Sequence, residues 1–182
     1  MRRSVSPVLA TVSAVLVGAL AGCGGASEPA AEMGTIRTAP PEATEPELPR
    51  VDPVADAECP YLSAEEVSRL NGVPATDVRI DDGVDPAACF FYDAEGAVQL
   101  TTTVYSVASA ERAAELVEES APAGESDPSE AEGGWSGGRT GGPGGSLLVL
   151  ARGAQVLAVQ STQEDSVTVQ QIAELVGPRV AD

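Results

Sequence analysis

The segment LLVLARGAQVLAVQS, residues 147–161, decides the fold, because it holds two apolar runs on either side of a turn signal. The runs are Leu147–Ala151 and Val156–Ser161, and Arg152-Gly153 lies between them. Short apolar runs joined by a glycine-containing turn are typical of paired strands. The segment therefore predicts an antiparallel hairpin.

A helix is predicted directly after this hairpin. Ser166 is a suitable first residue, and the following apolar residues recur at helical spacing. They are Val169, Ile172, Ala173 and Val176. Gly177-Pro178 is predicted to break this helix.

Three further strands are predicted on the N-terminal side of the hairpin, at Thr76–Asp81, Ala88–Tyr92 and Val98–Tyr105. The last of them alternates with a period of two, which is the spacing of one face of a strand. The residues on that face are Val98, Leu100, Thr102 and Val104. Short turns join these strands, which favours antiparallel neighbours.

Two more helices are predicted beside these strands. Ser63 and Glu66 form a capping box, and Gly72 is a suitable stop. Ser109 caps a second helix that ends at Pro122. This order of elements predicts a two-layer α+β fold, in which a single antiparallel sheet forms one layer and helices covering one of its faces form the other.

Residues 1–22 are predicted to be a lipoprotein signal peptide. Arg2 and Arg3 precede an apolar run, Val5–Ala19, that is short for a membrane-spanning helix. Residues 20–23, Leu-Ala-Gly-Cys, look like a bacterial lipobox, which predicts lipidation of Cys23 and attachment to the extracytoplasmic face of the cell membrane. The alternative is an ordinary signal peptide with an incidental cysteine.

Residues 23–57 have the composition of a disordered tether, rich in proline and glutamate and poor in large apolar side chains. The folded α+β domain is predicted to span residues 58–182.

The charge and residue inventory excludes several classes of function. Removing residues 1–22 leaves eight arginines against 28 acidic residues, and the chain contains no lysine or histidine. Such a surface repels phosphate backbones, so nucleic-acid binding is excluded. Histidine- and lysine-dependent catalysis is excluded as well, and no cofactor or metal is predicted. Carboxylate-based hydrolysis is the enzymatic alternative that stays open. The excess of negative charge is explained either by solubility or by an acidic docking surface.

Cys59 and Cys89 remain once Cys23 is set aside. A pair of cysteines in an exported chain predicts a disulfide. A redox pair is the alternative, although the close spacing and the neighbouring cation that it would need are missing.

The densest acidic cluster contains Asp77, Asp81, Asp82 and Asp85. Calcium takes several carboxylate oxygens, so a calcium site is one interpretation. The EF-hand pattern fails here, and a solvated strand end is the preferred interpretation.

The segment from Glu119 to Gly145 is predicted to be a long loop, acidic at first and then rich in glycine. Trp135 and Arg139 within it are candidate partner-binding residues, with the indole as an exposed anchor. The alternative, that Trp135 packs against the sheet edge, is preferred, because tryptophan buries a large apolar area.

Three motifs in this order resemble a domain-of-unknown-function family of actinobacterial lipoproteins. They are CPYL at 59–62, DPAAC at 85–89 and GWSGG at 134–138. The resemblance implies an extracytoplasmic α+β domain with a Cys59–Cys89 bridge, and it implies no activity, ligand or catalytic residue.

The function expected from these observations is that of a membrane-anchored, non-catalytic binding or accessory module at the cell envelope. Its partner would be an envelope protein or a glycolipid. A carrier of a small apolar ligand or lipid is the first alternative, and a carboxylate hydrolase is the second.

Overall fold

The structure, a computed structural model, describes residues 50–180, which form eight strands in one sheet. Neighbouring strands are antiparallel throughout, in the order β1-β2-β3-β4-β8-β7-β6-β5. The strands are β1 Ala55–Asp56, β2 Asp77–Asp81, β3 Ala88–Tyr92, β4 Val98–Ser106, β5 Asp127–Ala131, β6 Trp135–Gly142, β7 Gly145–Arg152 and β8 Gln155–Ser161. The predicted α+β fold with a single antiparallel sheet is confirmed.

The three helices are α1 Ala64–Asn71, which connects β1 to β2, α2 Ala110–Ser120, which connects β4 to β5, and α3 Ser166–Arg179, which follows β8. The capping box of α1 is present, since Ser63 accepts from the Glu66 amide and Glu66 reaches back. Gly72 ends α1 at a φ of 72°, in the left-handed region that glycine adopts without strain. None of the helices described within residues 50–180 is long and apolar enough to cross a membrane.

The main core lies between the sheet and the pair α1 and α3. The apolar stripe predicted for α3 is buried there against Phe91, Leu148 and Leu157. The predicted hairpin at residues 147–161 is confirmed as β7 and β8, which pair from Ser146↔Ser161 to Arg152↔Gln155.

Helix α2 packs on the opposite face of the sheet, so the prediction that helices cover one face alone is wrong for this helix. Ala113 and Leu116 of α2 bury Val149 and Val156 there. The physical reason is that β7 is apolar on both faces, as a continuous apolar run requires. Its even-numbered leucines face α3, and Val149 faces α2.

The predicted break at Gly177-Pro178 is also wrong, because α3 continues through Pro178 to Arg179. The proline falls at the next-to-last residue, so the missing amide removes one i→i−4 hydrogen bond and only Arg179 of the helix follows it. Gly177 is needed for packing: a Cβ there would lie 3.0 Å from Ala131 Cβ and 3.1 Å from Trp135 Cδ1.

The segment predicted to be a long loop forms β5 and β6. Its glycines allow other parts of the chain to approach both faces of β6 closely. On one face, a Cβ at Gly138 would lie only 2.7 Å from Ser126 Oγ, which is too close for a side chain. On the other face, a Cβ at Gly141 would lie 2.5 Å from the Glu164 carbonyl oxygen. The glycines are therefore part of a strand that is covered closely by its neighbours.

The sheet begins before residue 58. Ala55 pairs with Ile80 and Asp56 pairs with Arg79, so these two residues are not part of a disordered tether as predicted. The Asp52 amide also donates to the Asp81 carboxylate at 2.8 Å. The signal peptide, Cys23 and most of the predicted tether lie outside the described residues.

Candidate functional site

Trp135 is part of the core. Its side chain is 1% exposed, and its indole Nε1 donates to the Gly177 carbonyl oxygen at 3.0 Å. The Arg152 guanidinium lies 5.1 Å from the indole centroid, within the range of a cation–π contact. The packing alternative therefore holds, and the interpretation of Trp135 as an exposed anchor is wrong.

Arg139 clamps β5, β6 and α3 together. Its Nε donates to Ser166 Oγ at 3.3 Å, and its Nη1 donates to Ser129 Oγ at 2.9 Å and to the Pro128 carbonyl at 3.2 Å. Its Nη2 lies 3.9 Å from the Asp127 carboxylate. Nε and Nη1 thus donate hydrogen bonds within the domain and Nη2 lies within ion-pair distance of Asp127, so the predicted role as a cation for a partner does not fit this geometry.

Cys59 and Cys89 form the predicted disulfide, with Cα atoms 5.6 Å apart. The bridge ties the chain before α1 to β3. Tyr61 lies close by, and its hydroxyl donates to the Ala87 carbonyl oxygen at 2.9 Å. Burial raises the pKa of Tyr61 to about 12, so its phenol stays neutral and structural.

Glu66 joins α1 to α3 through Arg179. The Glu66 carboxylate accepts hydrogen bonds from Arg179 Nη2 at 2.7 Å and from Arg179 Nη1 at 3.0 Å. The same Nη1 also donates to the Tyr61 carbonyl oxygen. Hydrogen bonds from Arg179 and then from the Ser63 amide lower the pKa of Glu66 to about 2. This pair is a bidentate tie between two helices.

Two of the four aspartates in the predicted acidic cluster, Asp77 and Asp81, have partners within the domain. The Asp81 carboxylate accepts from the amides of Asp52 and Gly83 at 2.8 and 2.9 Å. Asp77 pairs with Arg79 at 3.4 Å. Within residues 50–180 no group of three or more His, Cys, Asp or Glu side chains could hold a metal ion.

A groove with an apolar floor lies between α1 and the outer edge of β2; we name it the α1–β2 groove. It consists of two adjoining clefts of about 190 and 320 Å³, which share Glu58, Ala64 and Val78. The floor is formed by small and apolar residues: Cys59, Leu62, Ala64, Ala75 and Val78. The rim carries the carboxylates of Asp56, Glu58 and Asp77.

The sheet edge along this groove is open. Strand β1 pairs with Arg79 and Ile80 alone. Asp77 and Val78 pair with β3 on their inner side. On their outer side, no strand among residues 50–180 pairs with them. The groove therefore combines an apolar floor, an acidic rim and unpaired strand backbone.

A second cleft, which we name the β5–α3 cleft, has a volume of about 570 Å³ at the other end of the sheet. Glu130, Ala131, Glu132 and Glu174 line it. All three glutamates are exposed, and Glu174 accepts from the Gln170 amide at 3.0 Å. Three of its four lining residues are glutamates, so it offers mainly negative charge.

The sequence did not predict the α1–β2 groove. Cys59 and Leu62 of its floor belong to the CPYL motif, which pointed to a family and to no binding site. The other floor residues, Ala64, Ala75 and Val78, belong to no motif. The one signal is Glu58, an acidic residue immediately before the Cys59 that the disulfide fixes in place.

Comparison with curated proteins finds no match. A family model described as a domain of unknown function, DUF2020, matches residues 41–180. This match covers the whole described domain and supports the resemblance to a family of unknown activity. The chain therefore belongs to the DUF2020 family.

Proposed function

We propose that this chain is a membrane-anchored lipoprotein whose domain is a non-catalytic binding module for an envelope protein. The α1–β2 groove is the observation that carries the proposal. Open strand backbone beside an apolar floor is a recurrent way to capture a partner segment. The acidic rim adds selection by charge.

The inventory of reactive groups supports a non-catalytic role. The chain has no histidine or lysine, and its two domain cysteines form a disulfide. A general acid generally works in a site screened from water, whereas the three glutamates of the β5–α3 cleft are exposed. That cleft is lined by carboxylates, so it gives no support to an apolar-ligand carrier either.

The sequence of residues 1–23 supports the membrane anchor. In this proposal the lipid on Cys23 holds the domain on the extracytoplasmic face, and the acidic domain is repelled by anionic head groups. Mass spectrometry of the mature N-terminus should find a lipidated cysteine. A Cys23→Ser variant should leave the membrane fraction, and retention of this variant in the membrane would contradict the anchor.

Capture from envelope extracts tests the binding role. The full chain is used as bait beside Ala57→Arg, which places a bulky side chain at the groove. Ala94→Arg is the matched control, since it adds the same side chain at an exposed turn. We expect a partner that is retained by the parent and by Ala94→Arg and is lost with Ala57→Arg. Equal retention by all three baits would refute the groove as the binding site.

A further inference from the structure

We infer that the partner segment of the α1–β2 groove is an extended, cationic polypeptide that adds to the outer edge of β2 as a further strand. This inference deepens the proposed function and rests on it. Three features carry it: the unpaired edge, the small residues around the edge, and the charge of the rim.

The outer edge of β2 supplies main-chain groups with which a partner strand can form hydrogen bonds. β1 pairs with Arg79 and Ile80 and leaves Val78 without an outer neighbour within the described part of the chain. The Ile80 carbonyl oxygen accepts from the Val54 amide on the β1 side. By alternation, the Val78 N–H and C=O also face outward, whereas those of Asp77 face β3. The Thr76 amide already donates inward to the Tyr92 carbonyl at 2.9 Å, which holds the start of this edge in extended form. An incoming strand can therefore pair with Val78 on an edge that is already extended.

The residues around the edge leave room for a backbone. Ala57, Ala64 and Ala75 line the wider cleft, and none of them projects beyond a methyl group. The narrower cleft of about 190 Å³ lies between Leu62 and Val78, where it can receive one apolar side chain of the partner. Alternate side chains of an added strand would then point into the groove and away from it.

The rim selects a positive charge. Asp56 and Asp77 already share Arg79, at 3.1 and 3.4 Å. Among the residues that the structure describes, Glu58 forms no ion pair, so its exposed carboxylate is available to a partner's cation. A segment that carries arginine beside small apolar residues fits both the rim and the floor.

The other edge strand of the sheet, β5, has features that disfavour the addition of a partner strand. Pro128 in β5 has no amide hydrogen, Asp127 precedes it, and Glu130 lies two residues after it. Proline and charge on an edge strand are features that prevent strand pairing. The two ends of the sheet thus differ, and the β2 edge is the one suited to a partner strand.

A defined probe tests the inference: an acetylated, amidated nine-residue peptide in which valine and arginine alternate. The full chain is held in nanodiscs of zwitterionic lipid, so that the peptide has no anionic membrane to bind. Binding is measured by fluorescence anisotropy. The same peptide, N-methylated at alternate residues, keeps its charge and loses strand pairing.

We expect saturable binding of the unmethylated peptide and a loss of about tenfold or more on N-methylation, because the main chain supplies the affinity. Glu58→Gln should weaken binding about fivefold, the size of one exposed ion pair. Glu132→Gln, which removes the same charge at the β5–α3 cleft, should change binding less than about twofold.

Equal losses with the two glutamate variants, equal binding of the methylated peptide, or no saturable binding would each overturn the inference. The capture experiment separates this failure from a failure of the proposed function. If Ala57→Arg still removes a captured partner while the peptide shows no strand-dependent binding, the groove binds a partner in another way. If both experiments fail, the proposed function falls too.

Discussion

Replacement of Trp135 with alanine is the most informative test of the packing described above. The indole is fully buried, its N–H bonds the Gly177 carbonyl, and Arg152 lies over its ring. Truncation of a buried tryptophan costs about 3–5 kcal/mol. Loss of the hydrogen bond adds about 1 kcal/mol, and loss of the cation–π contact adds about 0.5–1 kcal/mol.

These contributions overlap, so we expect the free energy of unfolding to fall by about 4–6 kcal/mol. A domain of this size has a stability of about 5–15 kcal/mol, so the variant should be close to unfolded or strongly destabilised. Trp135→Phe keeps an aromatic ring and loses the N–H, and it should cost about 1–3 kcal/mol.

Urea denaturation followed by far-UV circular dichroism measures both variants. Circular dichroism is needed because Trp135 is the single tryptophan of the chain, so its replacement removes the fluorescence signal. A Trp135→Ala variant within about 1 kcal/mol of the parent would refute the core position of this residue.

Three further predictions concern stability and can be measured by the same denaturation experiment. Replacing both Cys59 and Cys89 with alanine should cost about 3–4 kcal/mol, because the bridge closes a loop with a sequence separation of 30 residues; a loss below about 1 kcal/mol would contradict this. Glu66→Gln should cost about 1–2 kcal/mol at neutral pH, because Arg179 holds the folded-state pKa of Glu66 below its unfolded value. That contribution is present above the unfolded pKa and is lost as the pH falls through about 2, so a parent–variant difference that grows on acidification would count against the ion pair. Gly138→Val should cost about 2–3 kcal/mol, because its side chain would collide with Ser126; a neutral effect would show that this face is loosely packed.

Local signals explain what could be predicted from the sequence. The β7–β8 hairpin, the capping box at Ser63 and the stop at Gly72 each depend on a few neighbouring residues, and the structure contains all three. The Cys59–Cys89 bridge followed from counting the cysteines of an exported chain. Such features need no knowledge of the distant packing.

The β5–β6 hairpin could not be predicted from local signals, because glycine weakens strand propensity. The glycines around Gly138 and Gly141 are required by the close approach of other elements to the strand. This requirement becomes visible only in three dimensions. The same glycines suggested a loop, and the loop interpretation left an exposed Trp135 as a candidate beside the preferred packed position.

The position of α2 and the open edge of β2 depend on topology. β8, β7 and β6 lie between β4 and β5 in the sheet, so the connection from β4 to β5 must cross these strands. It does so on the face opposite α3, where α2 packs. The groove depends on how far β1 extends along β2, and a two-residue strand leaves no pattern in the sequence. The candidate site therefore came from the structure and not from motifs.

Photo-crosslinking in intact cells tests the central claim, that the α1–β2 groove binds a partner at the envelope. A photoreactive amino acid is placed at Thr76, which is exposed beside the groove, and at Ala114, which is exposed on α2. We expect a discrete cross-linked protein from Thr76 that is absent from Ala114 and disappears when Ala57→Arg is added. No adduct from Thr76, or the same adduct from both positions, would contradict the account.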